Sequence, residues 1–272
     1  KMTVKEFREE ISNKERFEFG KNWKRFLTVL NEERINAAEN SLKEMLGLDS
    51  LEGKTFLDIG SGSGLFSLAA RNLGAKVTSF DFDDSSVGCT AELKKRFYSE
   101  DNNWEVMQGS VLDNTFLNTL GTFDFVYSWG VLHHTGNMWE ALKNVVSLVK
   151  DDGVLFIALY NYQKFFSRYW TFVKKTYNKF LISRPLLILV HGLYPTLPSV
   201  ALKILQQRKA PRGMTIWYDL LDWLGGYPFE VSTPKDIFNF YKSQGFVLTQ
   251  INTVFGNSGC NEFVFRRETL KK

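Results

Sequence analysis

Thr55-Phe56-Leu57-Asp58-Ile59-Gly60-Ser61-Gly62-Ser63-Gly64 reads as a strand running straight into a glycine turn. Phe56, Leu57 and Ile59 form the short apolar run of a strand buried on both faces, as in a parallel sheet. Three glycines in five residues let the backbone turn sharply and approach a ligand with no Cβ in the way. A helix follows, with Leu65, Phe66, Leu68, Ala69 and Leu73 as its apolar positions and Gly74 as its stop. The next strand, Lys76 to Phe80, ends in Asp81, which lies 21 residues beyond Gly60. That is about where an acid meets the two hydroxyls of a bound ribose.

The details of the turn discriminate between ligands. A dinucleotide fingerprint built on Gly60 and Gly62 demands glycine at position 65, which is Leu65. A phosphate loop ending at Gly53-Lys54-Thr55 demands glycine where Leu48 stands, and Lys54-Thr55 enters a strand instead of a helix. What remains is Asp58-x-Gly60-x-Gly62-x-Gly64, with a carboxylate that disfavours a pyrophosphate and suits a cationic ligand.

This arrangement resembles the first motif of the class I S-adenosylmethionine-dependent methyltransferases. The resemblance runs from about Thr55 to Tyr160 and resumes from Ser232 to Arg267, and it points to the ubiquinone-biosynthesis-like small-molecule branch. It implies an α/β fold, a doubly wound seven-stranded and mostly parallel Rossmann-like sheet whose one antiparallel strand lies in a closing hairpin. It also implies S-adenosylmethionine as cofactor and S-adenosylhomocysteine as product. The residues that match the cofactor site are Asp58, Gly60, Gly62, Gly64 and Asp81, with Phe82 against the adenine. Backbone groups near Ser110 and Val111 would hold the base; Ser110 replaces the acid often found there.

The fourth strand, Phe123 to Ser128, runs into Trp129-Gly130-Val131-Leu132-His133-His134. Ligands of open α/β sheets lie outside the carboxyl ends of the strands. By the resemblance, Ser128 and Trp129 stand where the methionine part of the cofactor and the acceptor meet. His133 and His134 are the candidate catalytic residues, since either imidazole can take a proton from an acceptor hydroxyl. The alternative for one of them is to fasten the next helix, expected from Met138 to Val149 and followed by a turn at Lys150-Asp151-Asp152-Gly153. No metal is expected, because adjacent histidines on a short segment do not readily face one ion and no third ligand accompanies them.

Four parts are expected along the chain. Residues 1–50 form an N-terminal helical cover, whose aromatics, Phe19 and Trp23 among them, dock on the core or touch ligand together with Arg25. Residues 51–160 form the S-adenosylmethionine-binding core, 161–231 an inserted helical cap, and 232–272 the helix and hairpin that complete the sheet. Seventy residues is too long for an ordinary loop, so the cap has helices of its own, at Ser199–Gln207 and Met214–Leu224 among others. Asp219, Asp222 and Tyr227, joined by Trp129 and Tyr160, are the expected wall of the acceptor pocket. The apolar run Pro185–Val190 is too short to span a bilayer. It suits a cap over the site or, as the lesser alternative, contact with a membrane surface.

Composition narrows the function. With 44% hydrophobic and 24% charged residues and a net charge of +4, the chain is an ordinary globular protein with scattered positive charge, so nucleic acid is not the expected partner. Cys89 and Cys260 are too few and too far apart for a disulfide framework, and no secretory leader pattern is visible, so a cytoplasmic location is expected. Nothing specifies an oligomeric state. The expected activity is methyl transfer to a small acceptor, on an oxygen of a sugar, phenol or glycoside. The alternatives are methylation of RNA or protein, and a non-catalytic S-adenosylmethionine-binding protein.

Overall fold

The computed structural model describes residues 9, 10, 13, 23, 26–191 and 223–268. Helix α1 (Glu32–Leu46) is capped by Asn31, whose side chain accepts the Arg34 amide at 3.1 Å, and it ends at Gly47 in the left-handed region. After it come β1 (Thr55–Ile59), α2 (Leu65–Asn72), β2 (Lys76–Asp81), α3 (Asp84–Tyr98) and β3 (Trp104–Gln108). Next are α4 (Asn114–Leu117), β4 (Phe123–Trp129), a 3₁₀ turn at Leu132–His134, α5 (Met138–Val146) and β5 (Val149–Tyr160). Helix α6 (Phe165–Lys179) leads into residues 180–191; the chain then resumes at Trp223 and closes with α7 (Pro234–Ser243), β6 (Phe246–Asn252) and β7 (Cys260–Arg267).

The strands form one seven-stranded sheet in the order β3-β2-β1-β4-β5-β7-β6. Strand β7 runs antiparallel to both neighbours, while the other pairings are parallel. One face packs Phe56, Val77 and Tyr127 against α1, α2 and α3 through Leu42, Leu68 and Leu93. The other packs Leu57, Val126 and Leu155 against α4, α5 and α7 through Leu117, Leu142, Ile237 and Tyr241. Helices on both faces leave the carboxyl strand ends as the place for a ligand.

Two expectations are corrected. The helix ends at Val146, not Val149, and the turn expected at Lys150 to Gly153 lies inside β5. Val149 is fully buried and pairs with Phe123, which draws the chain into the sheet before the kink; Asp152 then adopts φ 61° and the register shifts between Phe123 and Phe125. Asp124 pins this corner, accepting from the Thr55 amide at 2.9 Å, the Thr55 hydroxyl at 2.6 Å and the Lys150 ammonium at 2.9 Å. Those donors outweigh its burial and hold its pKa down to about 2. The helix expected at Ser199–Gln207 lies outside the described residues, and of Met214–Leu224 only Trp223 and Leu224 are described, both helical.

Candidate functional site

The glycine turn is held shut by β2. The Gly60 and Ser61 amides both donate to the Phe80 carbonyl, at 2.8 and 3.1 Å. Gly60, Gly62 and Gly64 all have positive φ, and a Cβ on Gly60 would lie 2.4 Å from Val131 Cγ1. On Gly62 the Cβ would meet the Trp23 indole at 3.0 Å, so a side chain of the N-terminal segment lies directly over the turn. Asp81 faces the same turn: one carboxylate oxygen accepts the Gly62 amide at 2.9 Å and the other the Asp83 amide at 3.0 Å. Burial raises its pKa to about 6, with those two amides opposing the rise.

Asp58 points elsewhere. It is 2% exposed, and its carboxylate accepts the Ser67 hydroxyl at 2.5 Å. Ser67 and Ser79 share a hydroxyl contact of 2.7 Å, and the Trp104 indole donates to Ser79 at 2.9 Å. A line of polar groups thus joins α2, β1, β2 and β3 beneath the turn. Burial lifts the Asp58 pKa to about 7, against the Ser67 hydrogen bond and with Asp81 adding to the rise.

Ser128 is fully buried too, and its hydroxyl donates to the Ile59 carbonyl at 3.0 Å, so its side chain ties β4 to β1. Trp129 donates its indole N–H to Glu262 at 2.7 Å, which fixes the ring toward β7. Phe82 and Ser110 are half-buried at the ends of β2 and β3. The Ser110 hydroxyl accepts the Leu112 amide at 3.2 Å, and the Val111 carbonyl is taken by the Asn144 side chain at 2.9 Å.

The two histidines part ways. His133 is fully buried; its Nδ1 accepts the Tyr160 amide at 3.3 Å, so the neutral ring carries its proton on Nε2, which has no partner among the described residues. Burial, with His134 and Lys174 nearby, holds its pKa well below the ordinary histidine range. His134 is half-buried and has the opposite tautomer. Its Nδ1–H donates to the Pro228 carbonyl at 2.6 Å, which leaves the lone pair of the neutral ring on Nε2. The Tyr160 ring lies 3.9 Å from His133 and 5.4 Å from His134, and the Trp223 and Phe229 rings close around it at 5.5 and 5.1 Å. Tyr227 is half-buried beside Pro228; Asp219 and Asp222 lie outside the described residues. Among the described residues no group of three or more His, Cys, Asp or Glu is placed to hold a metal ion.

The model of a methyltransferase domain matches residues 30–183, more than half of the 272-residue chain. The chain belongs to the class I S-adenosylmethionine-dependent methyltransferases. Among curated relatives of this methyltransferase, a ubiquinone biosynthesis O-methyltransferase of Glaesserella parasuis is 31% identical over 118 residues, covering 42% of this chain and 48% of that protein. A ribosomal protein L11 methyltransferase of Prochlorococcus marinus is 35% identical over 113 residues, covering 41% of this chain and 36% of that protein. The chain therefore spans about half, or less, of the relatives it matches. The fold is shared with magnesium protoporphyrin IX methyltransferase of Synechocystis, solved with SAH bound, at a TM-score of 0.53, 15% identity and coverage of 86% of this chain and 83% of that one.

Several groups of this methyltransferase's site escaped the sequence reading. Lys174 is completely buried, donates to the Trp223 carbonyl, and lies 4.3, 4.8 and 5.7 Å from the Trp223, Phe229 and Tyr160 ring centres. Its sequence signal was its place on the inner face of α6, in helical register with Trp170 and Tyr177. Glu230 donates its amide to the His133 carbonyl at 3.0 Å, and its carboxylate accepts the Met138 amide at 3.0 and 3.1 Å, capping α5. Asn178 donates to the Gly225 carbonyl at 2.6 Å, clamping 223–230 over the histidines. No sequence signal marks Glu230 or Asn178, since both act on distant backbone.

Proposed function

We propose that this methyltransferase moves the methyl group of S-adenosylmethionine to an oxygen of a small ring-bearing acceptor, a phenol in preference to a sugar or glycoside. The observation that carries this reading is the cluster of Tyr160, Trp223 and Phe229 rings around the Lys174 ammonium, beside an imidazole whose lone pair is on Nε2. Ring faces suit a flat acceptor, and a nearby cation favours a phenolic oxygen as it loses its proton. The name of the Glaesserella relative supports oxygen as the methylated atom.

A turn of three glycines at positive φ, where no side chain stands, with the Asp81 carboxylate at its rim, fits the cofactor. When bound, S-adenosylmethionine supplies an electrophilic methyl group on a sulfonium sulfur. In this reading Asp81 accepts the ribose hydroxyls on its remaining lone pairs, Gly60, Gly62 and Gly64 give way to the amino-acid part, and Phe82 with the backbone at Ser110 and Val111 holds the base. Asp58 acts from below by bracing β1 and α2. Trp129, Tyr160 and Tyr227 line the acceptor side, together with Asp219 and Asp222. The parts 1–50, 51–160, 161–231 and 232–272 serve as cover, cofactor core, cap and closing hairpin.

His134 is the general base in this proposal and His133 part of the wall. The acceptor proton passes to His134 Nε2, while the Nδ1–H bond to the Pro228 carbonyl orients the ring and stabilises the imidazolium. His134→Ala is expected to lower kcat about 10²- to 10⁴-fold on a catechol acceptor while calorimetry gives unchanged S-adenosylhomocysteine affinity. Activity should rise with pH through a single ionisation in the wild type and lose that step in the variant. Full activity of His134→Ala would sink the assignment, and no binding of S-adenosylhomocysteine would sink the cofactor reading itself.

A further inference from the structure

Helix α6 has two apolar faces. Trp170, Val173, Tyr177 and the buried Lys174 face the core, whereas Phe165, Tyr169 and Phe172, at i, i+4 and i+7, face outward. Phe165 is 74% and Phe172 69% exposed, and the apolar surface continues past the helix to Ile182, at 93%, and to Leu186 and Leu189. Of the 19 exposed large apolar side chains among the described residues, 11 fall between Tyr162 and Val190. Arg168, Lys175 and Lys179 are exposed along one flank of the aromatic stripe.

Charge is segregated with the same sharpness. From Gly153 to Tyr218 the sequence holds ten Lys/Arg and no Asp or Glu, leaving 24 Lys/Arg against 30 Asp/Glu in the rest of the chain. A stripe of exposed aromatic and aliphatic side chains, edged by basic residues on one helix, is the pattern of an element lying in the plane of a membrane interface. A second copy of the chain is a poor occupant, because a two-fold contact would press one acid-free basic surface against another. Nucleic acid suits the basic flank but gives Ile182, Leu186 and Leu189 nothing apolar to bury in.

We propose that the outer face of α6, with the apolar surface that continues to Leu189, docks this protein on an anionic lipid bilayer. Aromatic and aliphatic side chains enter the interface while Arg168, Lys175 and Lys179 meet the lipid phosphates. The face opposite the buried Lys174 is the one that docks, so membrane contact and the ammonium at the ring cluster share a single helix. This inference is independent of the methyl-transfer reading.

The test is sedimentation of the full chain with vesicles of phosphatidylcholine alone and with about a third phosphatidylglycerol, at low and high salt. Binding is expected only to the anionic vesicles and should weaken with salt. Phe165→Ser/Phe172→Ser and Lys175→Glu/Lys179→Glu should each lower partitioning about tenfold or more while circular dichroism stays that of the wild type. Quenching of wild-type tryptophan emission by brominated lipid provides a readout that needs no variant. Absence of binding and of quenching overturns the proposal. So does full retention by both folded variants, a dimer that Phe165→Ser/Phe172→Ser dissociates without any vesicle binding, or firm heparin retention without vesicle binding.

Discussion

The carboxyl-end platform of the sheet and the helix α6 bury charge by opposite means. Asp58 sits at the end of a line of donors, Trp104 to Ser79 to Ser67, each held by strand pairing or by the helix that follows the glycine turn. Lys174 instead meets one carbonyl and three ring faces among the described residues, most of them from residues 223–229, about fifty positions away. The carboxylate is therefore placed by the register of the sheet, and the ammonium by how one segment docks on another. Polar satisfaction through local pairing makes a rigid floor; satisfaction through distant rings makes a wall that holds only while α6 and 223–230 stay together. The outer surfaces differ in the same sense. Helix α2 turns its apolar residues inward, whereas α6 keeps a second apolar stripe in solvent.

The hardest blow to the floor is Gly60→Val. A Cβ there lies 2.4 Å from a short, stiff valine side chain at φ 76°, so the turn must open. Loss of about 3 kcal/mol or more in urea denaturation, with loss of S-adenosylhomocysteine binding, is expected. A variant that keeps both wild-type stability and binding would show that the turn is not the rigid part.

Asp58→Asn probes the buried carboxylate with the shape nearly unchanged. Its folded pKa, raised to about 7 by burial, lies above the unfolded value of about 3.9, so between these limits the folded state holds the extra proton. Ionisation of Asp58 therefore lowers stability as pH rises from about 4 to about 7, and Asp81, raised to about 6, acts with the same sign. Relative to the wild type, Asp58→Asn should gain on the order of 2 kcal/mol at pH 8 and lose that gain by about pH 4. Equal stability of the two proteins at both pH values would mean that Asp58 is not desolvated.

Two adjacent positions on α6 supply the finest comparison. Val173 is 3% exposed and Phe172 69%. Val173→Ala should cost about 1.5 kcal/mol, whereas Phe172→Ser should stay within about 0.5 kcal/mol by thermal melting. Similar losses at both would place the outer stripe against something within the protein.

The reading from β1 through the glycine turn to Asp81 was legible because every signal in it is local: an apolar run, glycines that must take positive φ, and an acid at a fixed distance along one βαβ unit. The antiparallel β7 between β5 and β6 agrees with the closing hairpin that the resemblance implied, which no local signal in the sequence gives. The start of β5 was not legible, since Asp151-Asp152-Gly153 has turn chemistry and only the burial of Val149 against Phe123 overrides it. The inward hydrogen bonds of Asp58 to Ser67 and of Ser128 to Ile59 were not legible, since strand alternation and the neighbouring strands set where those side chains point.

The sequence by itself determined the family, the parallel core and the place of the glycine turn, because these rest on residues close together along the chain. Tertiary structure alone decided which ring nitrogen of each histidine carries the proton. His133 and His134 are adjacent and chemically identical, yet a Tyr160 amide meets one ring and a Pro228 carbonyl the other, and only His133 is fully buried. It also decided that Lys174 faces rings while Phe172 faces solvent, since a helix with two apolar faces does not declare in its sequence which one the rest of the chain will cover.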